Sequence, residues 1–134
     1  MKIRIKTVCL SSGSIYPAIS PYPPRNIMLV TSDFGYNIHY ENKLYDIVVP
    51  KGFDFNGASI PRFFWRIIGH PYMPDFQRGA LLHDFIYRSP GHIDIKRKLA
   101  DRLFMEILRE DGVSKIKSLT MYNAVRTFGK FSWK

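Results

Sequence analysis

The chain of 134 residues has one cysteine, few acidic residues and no long apolar run. The single cysteine, Cys9, excludes an internal disulfide framework and a zinc site built on several cysteines. No stretch approaches the roughly eighteen apolar residues of a transmembrane helix. The N-terminus alternates charged and apolar residues, and it lacks the apolar run of a signal peptide. We therefore expect a protein that is made in the cytoplasm without a signal peptide.

Negative charge is scarce: 11 Asp and Glu stand against 20 Lys and Arg, which gives a formal net charge of +9. Much of the excess lies in residues 96–134, which contain ten basic and four acidic residues. A surface of this sign disfavours basic partners and favours nucleic acid, an anionic membrane surface or an acidic protein. We expect any such partner to contact the C-terminal part of the chain.

Two halves of different composition predict an α+β fold. Residues 1–64 contain six of the nine prolines and short alternating runs, which predict a small antiparallel β-sheet with loops. Residues 65–134 show the helical period and predict a bundle of about three α-helices. With 46% hydrophobic and 23% charged residues, the chain has the composition of a globular protein. We expect one domain over residues 1–134.

Turn and cap residues give the approximate bounds of the elements. Asn42 and Lys43 predict a hairpin turn between two strands, and Asp94 and Ser114 are the predicted N-caps of the last two helices. The prolines of residues 15–26 predict an extended loop. The predicted strands cover residues 1–10 (as an edge strand), 27–30, 36–40 and 45–49, and the predicted helices cover residues 75–88, 95–111 and 115–128, with Gly112 and Gly129 after the last two.

Polar side chains lie on the apolar faces of the first two predicted helices. His83 and Tyr87 are one turn apart on the apolar face of the first helix, and Asp84 lies at its edge. Asp101 lies on the apolar side of the second helix, one turn after Arg97. Packing of the two faces would bring the carboxylate of Asp101 to the imidazole of His83.

This arrangement has two interpretations. In the first, Asp101 orients a neutral His83, which activates water, while Asp84 holds Ca²⁺ that polarises an ester carbonyl. In the second, His83 and Asp101 form a buried structural network, Asp84 caps a loop or pairs with Arg97, and nothing is catalysed. The residues alone leave both open.

Five ordered motifs resemble a family of phage and prophage proteins known as domain of unknown function 1353. The similarity runs from about residue 33 to Trp133, and it implies a phage or prophage origin without an established activity. The family usually has an aspartate where this chain has Asn56. The motifs are VPKGF (49–53), NGASIPR (56–62), HDFIY (83–87), RKLAD (97–101) and YNAVRTFG (122–129).

The motif around the histidine, with the Ala-Asp of the next helix, also resembles the catalytic helix pair of phospholipases A2. It is most similar to the compact form in parvovirus capsid proteins. The resemblance implies that His83 is the general base, Asp101 its orienting residue and Asp84 a Ca²⁺ ligand, with Tyr87 beside them. Those enzymes have a glycine-rich cation loop upstream, and the turn at Asn56 would have to supply its ligands here.

Three expectations of function follow. The first is a small phage component of the virion or tail, made in the host cytoplasm and assembled with other phage proteins. The second is a phospholipase A2-like, Ca²⁺-dependent ester hydrolase that acts through His83 and Asp101. The third is a nucleic-acid-binding protein that uses the basic helices of residues 96–134.

Overall fold

The computed structural model describes residues 3–22, 27–55, 74–88, 93–131 and 133. The chain divides into two compact units, here named the β unit (Met1–Asn56) and the helical unit (Gly57–Lys134). Strands followed by three helices confirm the predicted α+β class. The expectation of one domain over residues 1–134 stays a prediction. The strands are β1 (Ile3–Cys9), β2 (Ile19–Tyr22), β3 (Ile27–Val30), β4 (Phe34–Tyr40), β5 (Lys43–Val49) and β6 (Asp54–Phe55).

One sheet of the β unit contains three antiparallel strands in the order β1–β4–β5. Alternation along β1 buries Ile5 and Cys9 and exposes Lys6, because successive side chains of a strand point to opposite faces. β1 is at the edge of this sheet, as predicted. The predicted hairpin joins β4 to β5, but its turn residues are Glu41 and Asn42. Glu41 has the positive φ of 57° that tight hairpin turns favour.

The extended loop predicted for residues 15–26 is wrong in part, because Ile19–Tyr22 forms β2. This strand pairs with β3 in a second antiparallel sheet, of order β2–β3–β6. Proline has no N–H to donate to a neighbouring strand, and a central strand bonds to neighbours on both sides. The prolines of this segment therefore predicted a loop. Pro21 is accommodated because β2 lies at the edge of its sheet.

The helical unit contains three described helices, which confirms the predicted number. They are α1 (Pro74–Arg88), α2 (Arg97–Glu110) and α3 (Lys115–Phe128), and a 3₁₀ turn (Gly129–Phe131) follows α3. Helix α2 contacts both α1 and α3. None of the described helices combines the length and the apolar character needed to cross a membrane.

The structure confirms one predicted helix cap and corrects the other. The hydroxyl of Ser114 accepts a hydrogen bond from the N–H of Lys117 at 3.2 Å, so Ser114 is the N-cap of α3. Asp94 was the predicted N-cap of α2, but that position is held by Lys96, whose side chain makes no capping bond. The reason is that Ile95 is buried in a turn, where its N–H donates to the carbonyl of Ile93. The helix therefore begins two residues later than predicted.

A close approach of α1 and α2 forms the described core of the helical unit. A Cβ atom at Gly79 of α1 would lie 3.1 Å from the ring of Phe104, so the glycine lets the two helices meet closely. Phe104 and its neighbours Leu103, Ile107 and Leu108 are fully buried. This packing brings the buried face of α1, which carries His83 and Tyr87, against α2.

Candidate functional site

A buried carboxylate, Asp101 of α2, is the centre of the site and is 0% exposed. The Nε2 atom of His83 lies 2.7 Å from its Oδ1. The hydroxyl of Tyr87 donates a hydrogen bond to the same oxygen. His83 and Tyr87 lie four residues apart on α1, and side chains at this spacing share one helix face. The predicted contact between His83 and Asp101 is therefore confirmed.

The other carboxylate oxygen, Oδ2, faces two arginines. Nη1 of Arg126 on α3 donates to it at 2.8 Å, and Nη1 of Arg97 lies 3.6 Å away. Arg97 also donates to the backbone carbonyls of Val125 and Arg126, at 3.1 and 3.2 Å. All three helices thus meet at one carboxylate. We name the five side chains of His83, Tyr87, Arg97, Asp101 and Arg126 the Asp101 network.

Aromatic rings surround the two members of the network on α1, His83 and Tyr87. The ring of His83 lies 4.1 Å from that of Tyr87 and 4.9 Å from that of Phe104, measured between centroids. The rings of Trp133 and Tyr87 are nearly perpendicular, with 5.1 Å between their centroids. A Cβ atom at Gly129 would lie 2.6 Å from the Tyr87 hydroxyl, so the backbone after α3 also presses on this ring. As a result, His83 is only 2% exposed.

The charges within the network follow from burial and hydrogen bonding. Burial of the Asp101 carboxyl favours its protonated form, but the bonds from His83, Tyr87 and Arg126 outweigh this effect and lower its pKa. Burial, together with the bond to Asp101, raises the pKa of Tyr87 above its ordinary value. The carboxylate is therefore ionised and the phenol is neutral near neutral pH. An ionised carboxylate only accepts, so Nε2 of His83 donates the hydrogen between them.

Asp84, the predicted Ca²⁺ ligand, is buried on α1 and is not one of the five side chains of the Asp101 network. Its Oδ2 atom forms an ion pair at 2.6 Å with Nη2 of Arg88, one turn later on α1. The suggestion that Asp84 pairs with Arg97 is therefore wrong, because Arg97 is held by Asp101 and the end of α3. The other predicted ligand, Asn56, lies outside the described residues.

The described residues do not by themselves fit a Ca²⁺ site. Among them, no group of three or more His, Cys, Asp or Glu side chains is placed to hold a metal ion. Calcium takes six to eight oxygen ligands, whereas the described partner of Asp84 is a cation, Arg88. A Ca²⁺ ion bound at Asp84 would have to displace this guanidinium.

The spacing of residues on α1 and α2 identified three members of the network, and the structure brings His83, Tyr87 and Asp101 together. Arg126 was missed. It lies 25 residues from Asp101 in sequence, and no local period links the two.

Comparison with known proteins gives the family. Residues 28–125 match the family model described as "Protein of unknown function (DUF1353)". The chain belongs to this family. The DUF1353 match spans four members of the network and ends one residue before Arg126.

The DUF1353 chain is also similar to an uncharacterized protein, y4jT, of Sinorhizobium fredii (strain NBRC 101917 / NGR234). The two are 33% identical over 108 residues, which cover 79% of this chain and 30% of that protein. The chain thus spans less than a third of the length of this relative. No solved structure matches the chain.

Proposed function

We propose that this DUF1353 protein is an assembly and interaction component of a phage or prophage particle. In this proposal the Asp101 network fixes three helices in a rigid unit and catalyses nothing. The observation that carries the proposal is the environment of Asp101: the carboxylate is 0% exposed, and both of its oxygens accept hydrogen bonds. These three hydrogen bonds come from α1 and α3, so the carboxylate on α2 links all three helices.

The burial of His83 supports a structural role. A general base must come within hydrogen-bond reach of the proton that it removes, directly or through one water. The imidazole is 2% exposed and lies against the rings of Tyr87 and Phe104. Its bond to Asp101 instead links α1 to α2, and Arg126 extends the link to α3.

The resemblance to phage and prophage proteins supplies the biological context of the proposal. The partners would be other phage proteins, and the chain would be made in the host cytoplasm and then incorporated into the virion or its tail. A net charge of +9 favours partners with acidic surfaces.

A particle-association experiment tests this function. The prophage of the strain that carries the gene is induced, and the particles are purified on a density gradient and analysed by quantitative mass spectrometry. We expect the chain in the particle fraction at a constant ratio to the major structural proteins. Deletion of the gene should lower the yield of infectious particles, and an Asp101→Asn variant should rescue it less well than the wild type. Absence from particles together with an unchanged yield would refute the assembly role.

A second candidate is hydrolysis of a phospholipid ester, and the contact between His83 and Asp101 supports it. The 2.7 Å contact to Asp101 fixes the imidazole by Nε2, and Tyr87 steadies the same carboxylate oxygen. In this candidate the other ring nitrogen of His83 accepts a proton from water. Bound Ca²⁺ would polarise the ester carbonyl, with Asp84 and Asn56 as its ligands and Arg88 displaced.

The two candidates differ in a vesicle assay. Fatty acid release from anionic phosphatidylglycerol vesicles is measured with Ca²⁺ and with excess chelator. If the protein is a hydrolase, fatty acid release depends on Ca²⁺ and is abolished in His83→Ala. The control variant Glu106→Gln, a change on α2 outside the Asp101 network, should keep this release. Absence of release by the wild type, or release that His83→Ala retains, would reject the hydrolase.

A further inference from the structure

Several acidic side chains of the helical unit form ion pairs with arginines. Arg78 of α1 contacts Glu110 at 2.6 Å and Asp111 at 3.2 Å, at the C-terminal end of α2. Asp101 is held by Arg126 and Arg97. Arginines thus pair with Asp101, Glu110 and Asp111, whereas Glu106 of α2 has no ion pair among the described side chains. The remaining basic side chains of this helix also have no ion pair among the described residues.

Three of these basic side chains form a stripe along α2, which we name the basic stripe: Lys98, Arg102 and Arg109. Within the described part of the chain, none of the three pairs with a carboxylate. Arg109 donates through Nε to the hydroxyl of Ser118. The buried Nε of Arg102 has no hydrogen-bond partner among the described residues. Glu106 is one turn from Arg102, but no ion pair joins these two described side chains.

Helix geometry aligns the basic stripe. Residues at spacings of four and eleven point within about 40° of one another at 3.6 residues per turn, and the stripe is about 16 Å long at a rise of 1.5 Å per residue. Met105 lies on the same side between the arginines and is 8% exposed. The aliphatic stems of long basic side chains commonly cover such a residue while their charged ends reach solvent.

We propose that the basic stripe binds the phosphate backbone of duplex nucleic acid without sequence preference. Each strand of the duplex has one phosphate per 3.4 Å of helix axis, so phosphates are dense enough for each of the three basic side chains of the stripe to contact one. Arginine and lysine without a protein counter-charge are the groups that neutralise phosphates and release their counterions. This function is separate from the Asp101 network, whose arginines are already engaged.

The composition of the stripe distinguishes the duplex from other anionic partners. An interfacial membrane helix inserts large apolar side chains beside its basic residues. In the described helical unit, the exposed large hydrophobic residues Ile116, Leu119 and Phe128 all lie on α3. Binding to single strands depends on aromatic side chains that stack on bases, and the stripe has none. Even with Glu106 beside it, the stripe keeps an excess of two positive charges (three basic against one acidic residue), which fits contact with a phosphate backbone.

Fluorescence anisotropy of a labelled DNA duplex of mixed sequence, titrated over a range of NaCl concentrations, tests the proposal. Three phosphate contacts predict a slope of about −2.7 in a plot of log association constant against log salt. The double variant Lys98→Gln/Arg102→Gln should reduce the slope by about 1.8 and weaken binding roughly tenfold at low salt. Its unfolding midpoint should match that of the wild type, because neither side chain has an ion pair in the described structure.

The matched control is Lys6→Gln/Lys51→Gln, which removes the same charge from exposed residues of the β unit. If both double variants lose the same amount of affinity for the duplex, net charge alone attracts the DNA, and the proposal is overturned. A salt-independent association constant would also overturn it. Preferential binding of the wild type to vesicles of equal parts phosphatidylcholine and phosphatidylglycerol, with no affinity for the duplex, would assign the stripe to a membrane and contradict the proposal.

Discussion

Arg126 of α3 donates a 2.8 Å hydrogen bond to Asp101 of α2, across a separation of 25 residues in sequence. This bond brings the C-terminal part of α3 to the carboxylate that already receives His83 and Tyr87 from α1. A single buried side chain therefore links all three described helices. Changes at Asp101 should act on the folding of the helical unit as a whole.

The first prediction concerns the charge of Asp101. Asp101→Asn keeps the size of the side chain but leaves the arginines Arg97 and Arg126 without their counter-charge. Breaking a buried ion pair by removing one partner is strongly destabilising, so we expect a loss of about 3 kcal/mol in the free energy of unfolding. Urea denaturation followed by circular dichroism measures it. Glu106→Gln, on the same helix, is the control and should change stability by less than about 0.5 kcal/mol.

The pH dependence of stability follows from the lowered pKa of Asp101. Burial alone would favour protonation, but the bonds from His83, Tyr87 and Arg126 outweigh it in the folded state. The folded pKa is below the unfolded value of about 3.9, so the contribution is fully present above about pH 5. It is lost as the pH falls through the folded pKa. The difference in unfolding free energy between wild type and Asp101→Asn should thus shrink in acid. A constant difference between about pH 7 and pH 3 would contradict this assignment.

The cap of α3 gives an independent local prediction. The hydroxyl of Ser114 accepts from the N–H of Lys117 at 3.2 Å, and alanine cannot replace this acceptor. Ser114→Ala should lower the free energy of unfolding by about 1 kcal/mol. Ser114→Asp, which keeps an acceptor at the N-terminus of the helix, should retain wild-type stability. Equal stability of the alanine and aspartate variants would show that the cap contributes nothing.

Local spacing accounts for the parts of the site that the sequence predicted. His83 and Tyr87 share a helix face by their spacing, and the apolar pattern of α2 placed Asp101 toward them. The bounds of α3 followed in the same way from Ser114 and Gly129. Each of these inferences needs only residues within two or three turns of one another.

The parts that the sequence did not predict depend on tertiary contacts. The sequence suggested only Arg97 as a partner, and for the carboxylate of Asp84. Packing instead assigns Arg88 to Asp84, and Arg97 and Arg126 to Asp101. The strand at Pro21 was not predicted because proline is tolerated only in an edge strand, and the sequence of one segment does not show whether a strand lies at an edge.

The last prediction concerns the contact between Gly129 and Tyr87. Gly129 has φ −63° and ψ −21°, which alanine adopts without strain, so any cost of Gly129→Ala comes from the Cβ atom. That atom would lie 2.6 Å from the Tyr87 hydroxyl and 3.1 Å from Cε2. Overpacking of this kind should destabilise the protein by about 2 kcal/mol in urea denaturation.

Tyr87→Phe removes the nearest atom but also its bond to Asp101. We therefore expect the double variant Gly129→Ala/Tyr87→Phe to lose less free energy of unfolding than the two single variants together, by about 1 kcal/mol. Strict additivity, or a silent Gly129→Ala, would show that the 3₁₀ turn does not press on Tyr87.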